Sequence, residues 1–224
     1  MSKKILVLVP YLDLLGGSER MAFEVAKGLA MKGWEIYVGY EREGIWRKRY
    51  EKFVRSFHPM ALPIGNFRRP LELAGAWCRL HRLARRLGIK VIFTSHAGQL
   101  LTAAVLEKVS GVRSCFHLGL MGAVANTVSG RWAVRQNSAG VAPSEQTAKS
   151  WCEIGWPKET LQMVPNWIDW EDYSKLPTKK EARSILERDY GVKGLSGGES
   201  IKVVGYVGRL VKEKGIEVLW ECVS

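Results

Sequence analysis

The sequence predicts an α/β fold, a mainly parallel sheet with helices on its faces, and three observations predict it. Short apolar, β-branched runs alternate with longer segments of helical period, the rhythm of strand–helix–strand units. The first run, residues 5–9 (ILVLV), is continuously apolar, as a strand buried on both faces must be. Glycine and histidine stand where such runs end, and parallel sheets bind ligands outside the carboxyl ends of their strands.

Taken in order, residues 5–9 make the first strand, closed by Pro10 and the Gly16-Gly17 pair. Ser18 is a suitable N-cap, and Met21, Val25, Ala26 and Leu29 recur with helical period up to Gly33. Residues 35–40 read as a strand, 45–57 as a basic helix and 60–62 as a short strand. In 71–87, Leu73, Trp77, Leu80, Ala84 and Leu87 fall three or four apart, an apolar stripe that leaves Arg79, Arg82, Arg85 and Arg86 largely outside it. Further strands are expected at 91–95, 113–117, 140–142 and 161–164. Helices are expected at 99–109, 131–138 and, capped by Ser144, up to Glu153. Thr178-Lys179-Lys180-Glu181 is a capping box that opens a helix to Tyr190. Residues 191–200, with four glycines and two serines, read as a linker. Residues 201–207 then form a fresh buried strand leading into Gly208-Arg209, with a helix near Gly215. The expected organisation is a first domain over 1–190, a linker over 191–200, and the opening strand, phosphate loop and helix start of a second domain over 201–224.

Composition narrows the class. The 224 residues are 46% hydrophobic and 25% charged, unlike a disordered chain. The longest uncharged apolar runs fall far below the ~18 residues of a membrane span. No small-residue cleavage site follows the first strand, so no signal peptide is expected. Cys78, Cys115, Cys152 and Cys222 lack C-x-x-C spacing, which argues against a disulfide framework or zinc site and fits a reducing cytoplasm. The net charge is +12, and from Arg42 to Lys90 thirteen basic residues face three glutamates, a local +10. That asymmetry points to an anionic partner, or to the wet faces of two ordinary helices.

Two loops carry chemistry. GGSER (16–20) joins a strand to a helix start, where glycines admit a close ligand and free N–H groups favour an anion; a plain tight turn is the alternative. It is neither a G-x-G-x-x-G nor a P-loop. VGRLVKEKG (207–215) sets Arg209 and Lys214 five residues apart, a pair suited to a diphosphate leaving group in place of a metal, or a solvated basic turn.

GGSER, His96 in FTSH, His117 in SCFH, VAPSEQTAKSW (141–151), VPNWID (164–169) and VGRLVKEKG follow one another in an order that resembles glycosyltransferase family 4, the group 1 glycosyltransferases of the GT-B fold. The resemblance spans nearly the whole chain. It implies two Rossmann-like domains with a nucleotide-sugar donor in the cleft between them. Transfer retains the anomeric configuration, with no metal or other cofactor expected. By the same resemblance Gly16 and Gly17 lie at the donor phosphates or sugar, and His117 faces the transferring sugar as the catalytic group. Arg209 and Lys214 hold the diphosphate, and His96 lines the acceptor side. The implied acceptor is a carbohydrate or lipid-linked molecule of cell-envelope polysaccharide synthesis. The implied setting is cytoplasmic, peripheral on the inner face of the membrane.

Asp169 and Glu171 read as loop residues rather than a metal pair. Trp167 stands where the family's P-N-G-x-D turn usually has Gly. The family's paired glutamates fall further along than this sequence reaches, and Glu217 and Glu221 come too early to replace them, so the chain by itself is expected to be inactive. Arg47, Lys48, Arg49, Lys52, Arg79, Arg82, Arg85 and Arg86 would form a membrane or anion surface, with Trp46, Phe53, Phe57 and Trp77 as interfacial anchors. Two other functions stay open. One is a nucleic-acid module, disfavoured because helix-turn-helix, RNP and zinc signatures are lacking. The other is a non-catalytic subunit that supplies an acceptor site to a separate donor domain.

Overall fold

The computed structural model describes residues 3–13, 16–62, 70–168, 176–195, 202–208 and 210–223. The chain packs as two compact units, Met1–Trp167 and Ile168–Ser224. The first unit holds a seven-stranded sheet: β1 (Lys4–Tyr11), β2 (Glu35–Arg42), β3 (Val54–Pro59), β4 (Val91–Thr94), β5 (Arg113–His117), β6 (Ala139–Ala142) and β7 (Leu161–Met163). Every pairing is parallel and the order is β3-β2-β1-β4-β5-β6-β7. The chain therefore winds outward from β1 to one edge and returns to β4 to build the other half. The switch point lies between the carboxyl ends of β1 and β4.

Helices α1 (Gly17–Met31), α2 (Arg47–Tyr50), α3 (Pro70–Leu87), α4 (Leu100–Ser110), α5 (Val128–Gln136) and α6 (Glu145–Glu153) connect the strands. Residues Ile5 to Val9 are at most 3% exposed, and their alternation feeds two cores. Ile5, Val7 and Val9 pack with Ala22, Phe23 and Ala26 of α1, while Leu6 and Leu8 pack with Leu80, Leu83 and Ala84 of α3 and Leu106 of α4. A third core gathers Leu100, Leu101, Ala133, Val134, Trp151 and Trp156 around Phe116. Full burial of one such side chain stabilises the fold by about 1.5–3 kcal/mol.

Several elements differ from expectation. The helix expected over 45–57 is the single turn of α2, and the strand expected at 60–62 lies earlier, in β3. Tyr50 ends the turn buried, its ring edge-on to Phe23 at 4.9 Å. Val54 then pairs with Ile36 and Phe57 with Val38, so pairing along the sheet edge overrides the helical period of the charges. Ser18 is not the cap of α1. Gly16 takes that position in extended backbone without a side-chain cap bond, while Ser18 Oγ donates to Glu19 at 3.1 Å. α5 starts at Val128 rather than 131 because Thr127 Oγ1 accepts from Gly130 N at 3.0 Å.

In the second unit, α7 (Lys179–Tyr190) opens on the expected capping box and ends at Gly191 in the left-handed region, φ 67°. α8 (Ile216–Val223) follows a one-turn 3-10 helix at Lys212–Lys214. The strand expected at 201–207 is not formed over 202–207, where Val203, Val204 and Val207 are 51%, 65% and 100% exposed. A parallel strand owes its stability to neighbours, and among the described residues this unit has no other strand. Ile201 and residues 196–200 of the expected linker lie outside the described residues. So do Asp169 and Glu171. All four cysteines are unpaired, and among the described residues no helix is long and apolar enough to cross a membrane.

Candidate functional site

The switch point gathers residues from two loops. β1 delivers the chain to Gly16 and Gly17, which begin α1. A Cβ added at Gly17 would meet nothing within 4 Å, whereas one at Gly16 would stand 3.3 Å from Glu19 Oε2, so the open side of the first turn is at Gly17. The first N–H groups of such a turn have no partner within their own helix and carry partial positive charge. Across the crevice, Ser95 at the end of β4 donates from Oγ to the carbonyl of Ser18 at 2.6 Å, tying the two loops together. His96 follows in extended backbone, and its buried Nδ1 has no hydrogen-bond partner among the described residues.

His117 closes β5, the next strand over, and is 3% exposed. Its Nε2 lies 2.9 Å from Asn166 Oδ1. With the amide oxygen accepting, Nε2 carries the hydrogen and Nδ1 keeps a lone pair. That Nδ1 is buried without a partner among the described residues, beside Gly119, where an added Cβ would stand 3.5 Å away. Burial pushes the imidazole below its ordinary pKa, and the Asn166 hydrogen bond offsets part of that fall. At neutral pH His117 is therefore uncharged and accepts a hydrogen bond rather than presenting a cation. The loop beyond it is anchored by Trp151, whose indole N–H donates to Leu120 O at 2.7 Å.

The structure thus brings Gly16, Gly17 and His96 to one crevice, with His117 on the adjoining strand. Lys214 belongs to the second unit, exposed at the end of its 3-10 turn, and Arg209 lies outside the described residues. The basic residues lie elsewhere in the first unit, on α2, in the turn that follows it and on α3. Arg47 is neutralised locally by Glu43 and by Glu51 at 3.2 Å, and it also donates to the Tyr40 hydroxyl at 3.0 Å. Arg49 stacks over Trp46 at 4.6 Å, whereas Lys48, Lys52, Arg79, Arg82, Arg85 and Arg86 are exposed. Trp46, Phe53 and Phe57 are not free anchors: they pack against the core around Phe23 and Tyr40, the natural place for aromatic area next to a sheet. Trp77 is half-buried and donates to Thr102 Oγ1 at 3.2 Å.

Ser95 and Asn166 were not singled out from sequence. Each is adjacent to a residue that was, inside FTSH and VPNWID, and that adjacency is the signal that identifies them. Among the described residues no three His, Cys, Asp or Glu side chains gather as a metal site would require.

No curated protein matches the chain in sequence. Among solved structures, HepE of Anabaena in complex with UDP and glucose is similar over 100% of this chain, at 20% identity and a TM-score of 0.75. A glycosyltransferase from Rickettsia africae is similar over 86% of the chain at 15% identity and a TM-score of 0.65. MurG of Acinetobacter baumannii is similar over 83% at 13% identity and 0.54. The chain spans 58%, 50% and 55% of their respective lengths. At these identities the likeness establishes the Rossmann-like α/β fold of GT-B proteins. The family model for Glycosyltransferase Family 4 matches residues 15–172, a span that runs from the Gly16-Gly17 loop through His96 and His117 to the Asn166 turn. The chain belongs to Glycosyltransferase Family 4.

Proposed function

We propose that this chain is the acceptor-side part of a retaining glycosyltransferase that moves a sugar from a nucleotide-diphosphate sugar to a lipid-linked or polysaccharide-type acceptor. The observation that carries the reading is the open position at Gly17 in a first turn held through Ser18 to Ser95, the neighbour of His96, at the switch point, with an uncharged His117 on the next strand. The HepE structure holds UDP and glucose, and that donor chemistry suits a helix start facing open space. His117 accepts from a sugar hydroxyl and orients the transferring ring. Arg209 and Lys214 neutralise the diphosphate as it leaves with the bonding electrons, so that no metal is required. In this reading residues 1–190 form the acceptor-side domain and 201–224 open the donor-binding one. The exposed bases of α2 and α3 lean on the anionic inner face of the cell membrane, where envelope polysaccharides are made.

The test titrates the 224-residue chain with UDP-glucose and follows the Gly17 amide and the His117 ring by NMR. Saturable shifts of both are expected. Gly17→Leu, whose added side chain enters open space, is expected to keep the fold and weaken donor binding at least tenfold. Shifts at neither residue would defeat the reading.

A further inference from the structure

We propose that Arg79, Arg82, Arg86 and His58 form a binding site for a phosphate group at the edge of the sheet, apart from the strand-end crevice. α3 sets the three arginines at i, i+3 and i+7, on one face of the helix. That face meets the carboxyl end of the edge strand β3. Together with Pro59, Met60 and Leu83, the four residues line a cavity of about 290 Å³. No carboxylate lines it, and among the described residues none pairs with Arg79, Arg82 or Arg86. The contrast with Arg47, held between two glutamates, is direct.

Three guanidinium groups around one small cavity repel one another, and an anion relieves that repulsion. Phosphate is the anion that suits them, because a planar guanidinium engages two phosphate oxygens at once. Leu83 and Met60 supply an apolar wall beside the guanidinium groups. His58 is a held side chain rather than a loose one: its Nε2 is 2.8 Å from Ser56 Oγ and its ring stacks on Tyr37 at 6.5 Å. The site does not depend on the sugar-transfer reading, since β2 and β1 separate β3 from the switch point.

The test uses the 224-residue chain, glycerol 1-phosphate as probe and succinate as a dianion without phosphorus, with the His58 ring resonances as reporter. A saturable phosphate-dependent shift is expected, with succinate at least tenfold weaker. The Arg79→Gln, Arg82→Gln, Arg86→Gln combination is expected to weaken phosphate binding at least tenfold. Lys108→Gln with Lys158→Gln, exposed lysines outside the basic surface, should leave it within twofold. Arg82→Lys, which keeps the charge and loses the planar fork, is a milder variant that secures the fold; at least threefold weakening is expected. Competition with vesicles of phosphatidylcholine and phosphatidic acid identifies the source. Displacement of the chain from vesicles by glycerol 1-phosphate supports the site as one for a lipid headgroup. A His58 shift without vesicle binding supports it as one for a soluble phosphoester. The absence of a saturable His58 shift, an equal response to succinate, or equal loss in the arginine and lysine variants would overturn the proposal.

Discussion

Two runs that read as strands in sequence, 5–9 (ILVLV) in the first unit and 201–207 (IKVVGYV, with Lys202 and Gly205 among its aliphatic residues) in the second, differ in structure. The first is β1, hydrogen-bonded to β2 on one side and β4 on the other, with both faces under helices. In the second, the described residues form no strand and expose Val203, Val204 and Val207. A β-branched run specifies the capacity to be a strand. Parallel neighbours and two covering layers decide whether the capacity is used.

Hydrogen exchange would break this contrast most sharply if it were false. The amides of Leu6, Val7 and Leu8 are expected to exchange only through opening of the whole first unit, with protection of about 10⁴ or more for a domain of ordinary stability. Val203 and Val204 are expected within about tenfold of a free chain, because only partnered amides are protected. Equal protection in the two runs would show that the second has found partners. Substitution gives the next largest effect. Leu8→Ala, at a site with no exposed surface, is expected to cost about 2–5 kcal/mol in denaturant unfolding. Val204→Ala, at an exposed site, is expected to stay within about 0.5 kcal/mol.

The same contrast explains what the sequence alone could and could not tell. Strands at 5–9, 35–40, 91–95 and 113–117 were legible because continuous apolar runs between turn residues need no knowledge of partners. Gly17, His96 and His117 were legible because their positions at strand ends are themselves sequence signals. The turn at Tyr50 and the earlier start of β3 were not, because they depend on Phe23 and on pairing with Ile36, contacts distant in sequence. The partner of His117 was hidden for the same reason, since Asn166 lies 49 residues away. Charge was legible only as a sum. The sequence shows a basic stretch, and only packing separates Arg47, neutralised by Glu43 and Glu51, from the three arginines around the His58 cavity.

Acid should distinguish the units less strongly but in a definite direction. All four histidines lie in the first unit. Two of them, His117 and His58, are held below their ordinary pKa, chiefly by burial, with Arg86 adding to the effect at His58. A depressed histidine contributes its stability above the unfolded-state pKa of about 6.5. The contribution is lost as pH falls from there through the folded value, because the unfolded chain takes up the proton first. The thermal midpoint of the first unit is therefore expected to fall between pH 7 and pH 5. His117→Gln should flatten that dependence, and a midpoint that rises toward pH 5 would contradict the burial of both rings.

The smallest effect belongs to α7, and it asks whether any part of the second unit is specified locally. Thr178 Oγ1 accepts from Glu181 N at 3.3 Å, and Glu181 Oε2 accepts from Thr178 N at 2.7 Å, so each residue satisfies a donor that the helix start leaves open. The Thr178 hydroxyl also donates to Glu181 Oε2 at 2.7 Å, and this bond, with that from Thr178 N, holds the Glu181 carboxyl below the ordinary carboxylate range. Unlike β1, α7 has no fully buried side chain; it has this cap, Gly191 at the other end, half-buried Ala182, Ile185 and Leu186, and the bond from Arg183 to Leu195 O at 3.2 Å. Thr178→Ala is therefore expected to fray the first turn of α7, read as loss of helical carbon shifts at residues 179–182, while the unfolding midpoint of the first unit stays unchanged. Protonating Glu181 in acid should fray the same turn from the other side of the box. If both changes left the helical shifts intact, α7 would owe its order to packing, and the difference between the units would be one of degree.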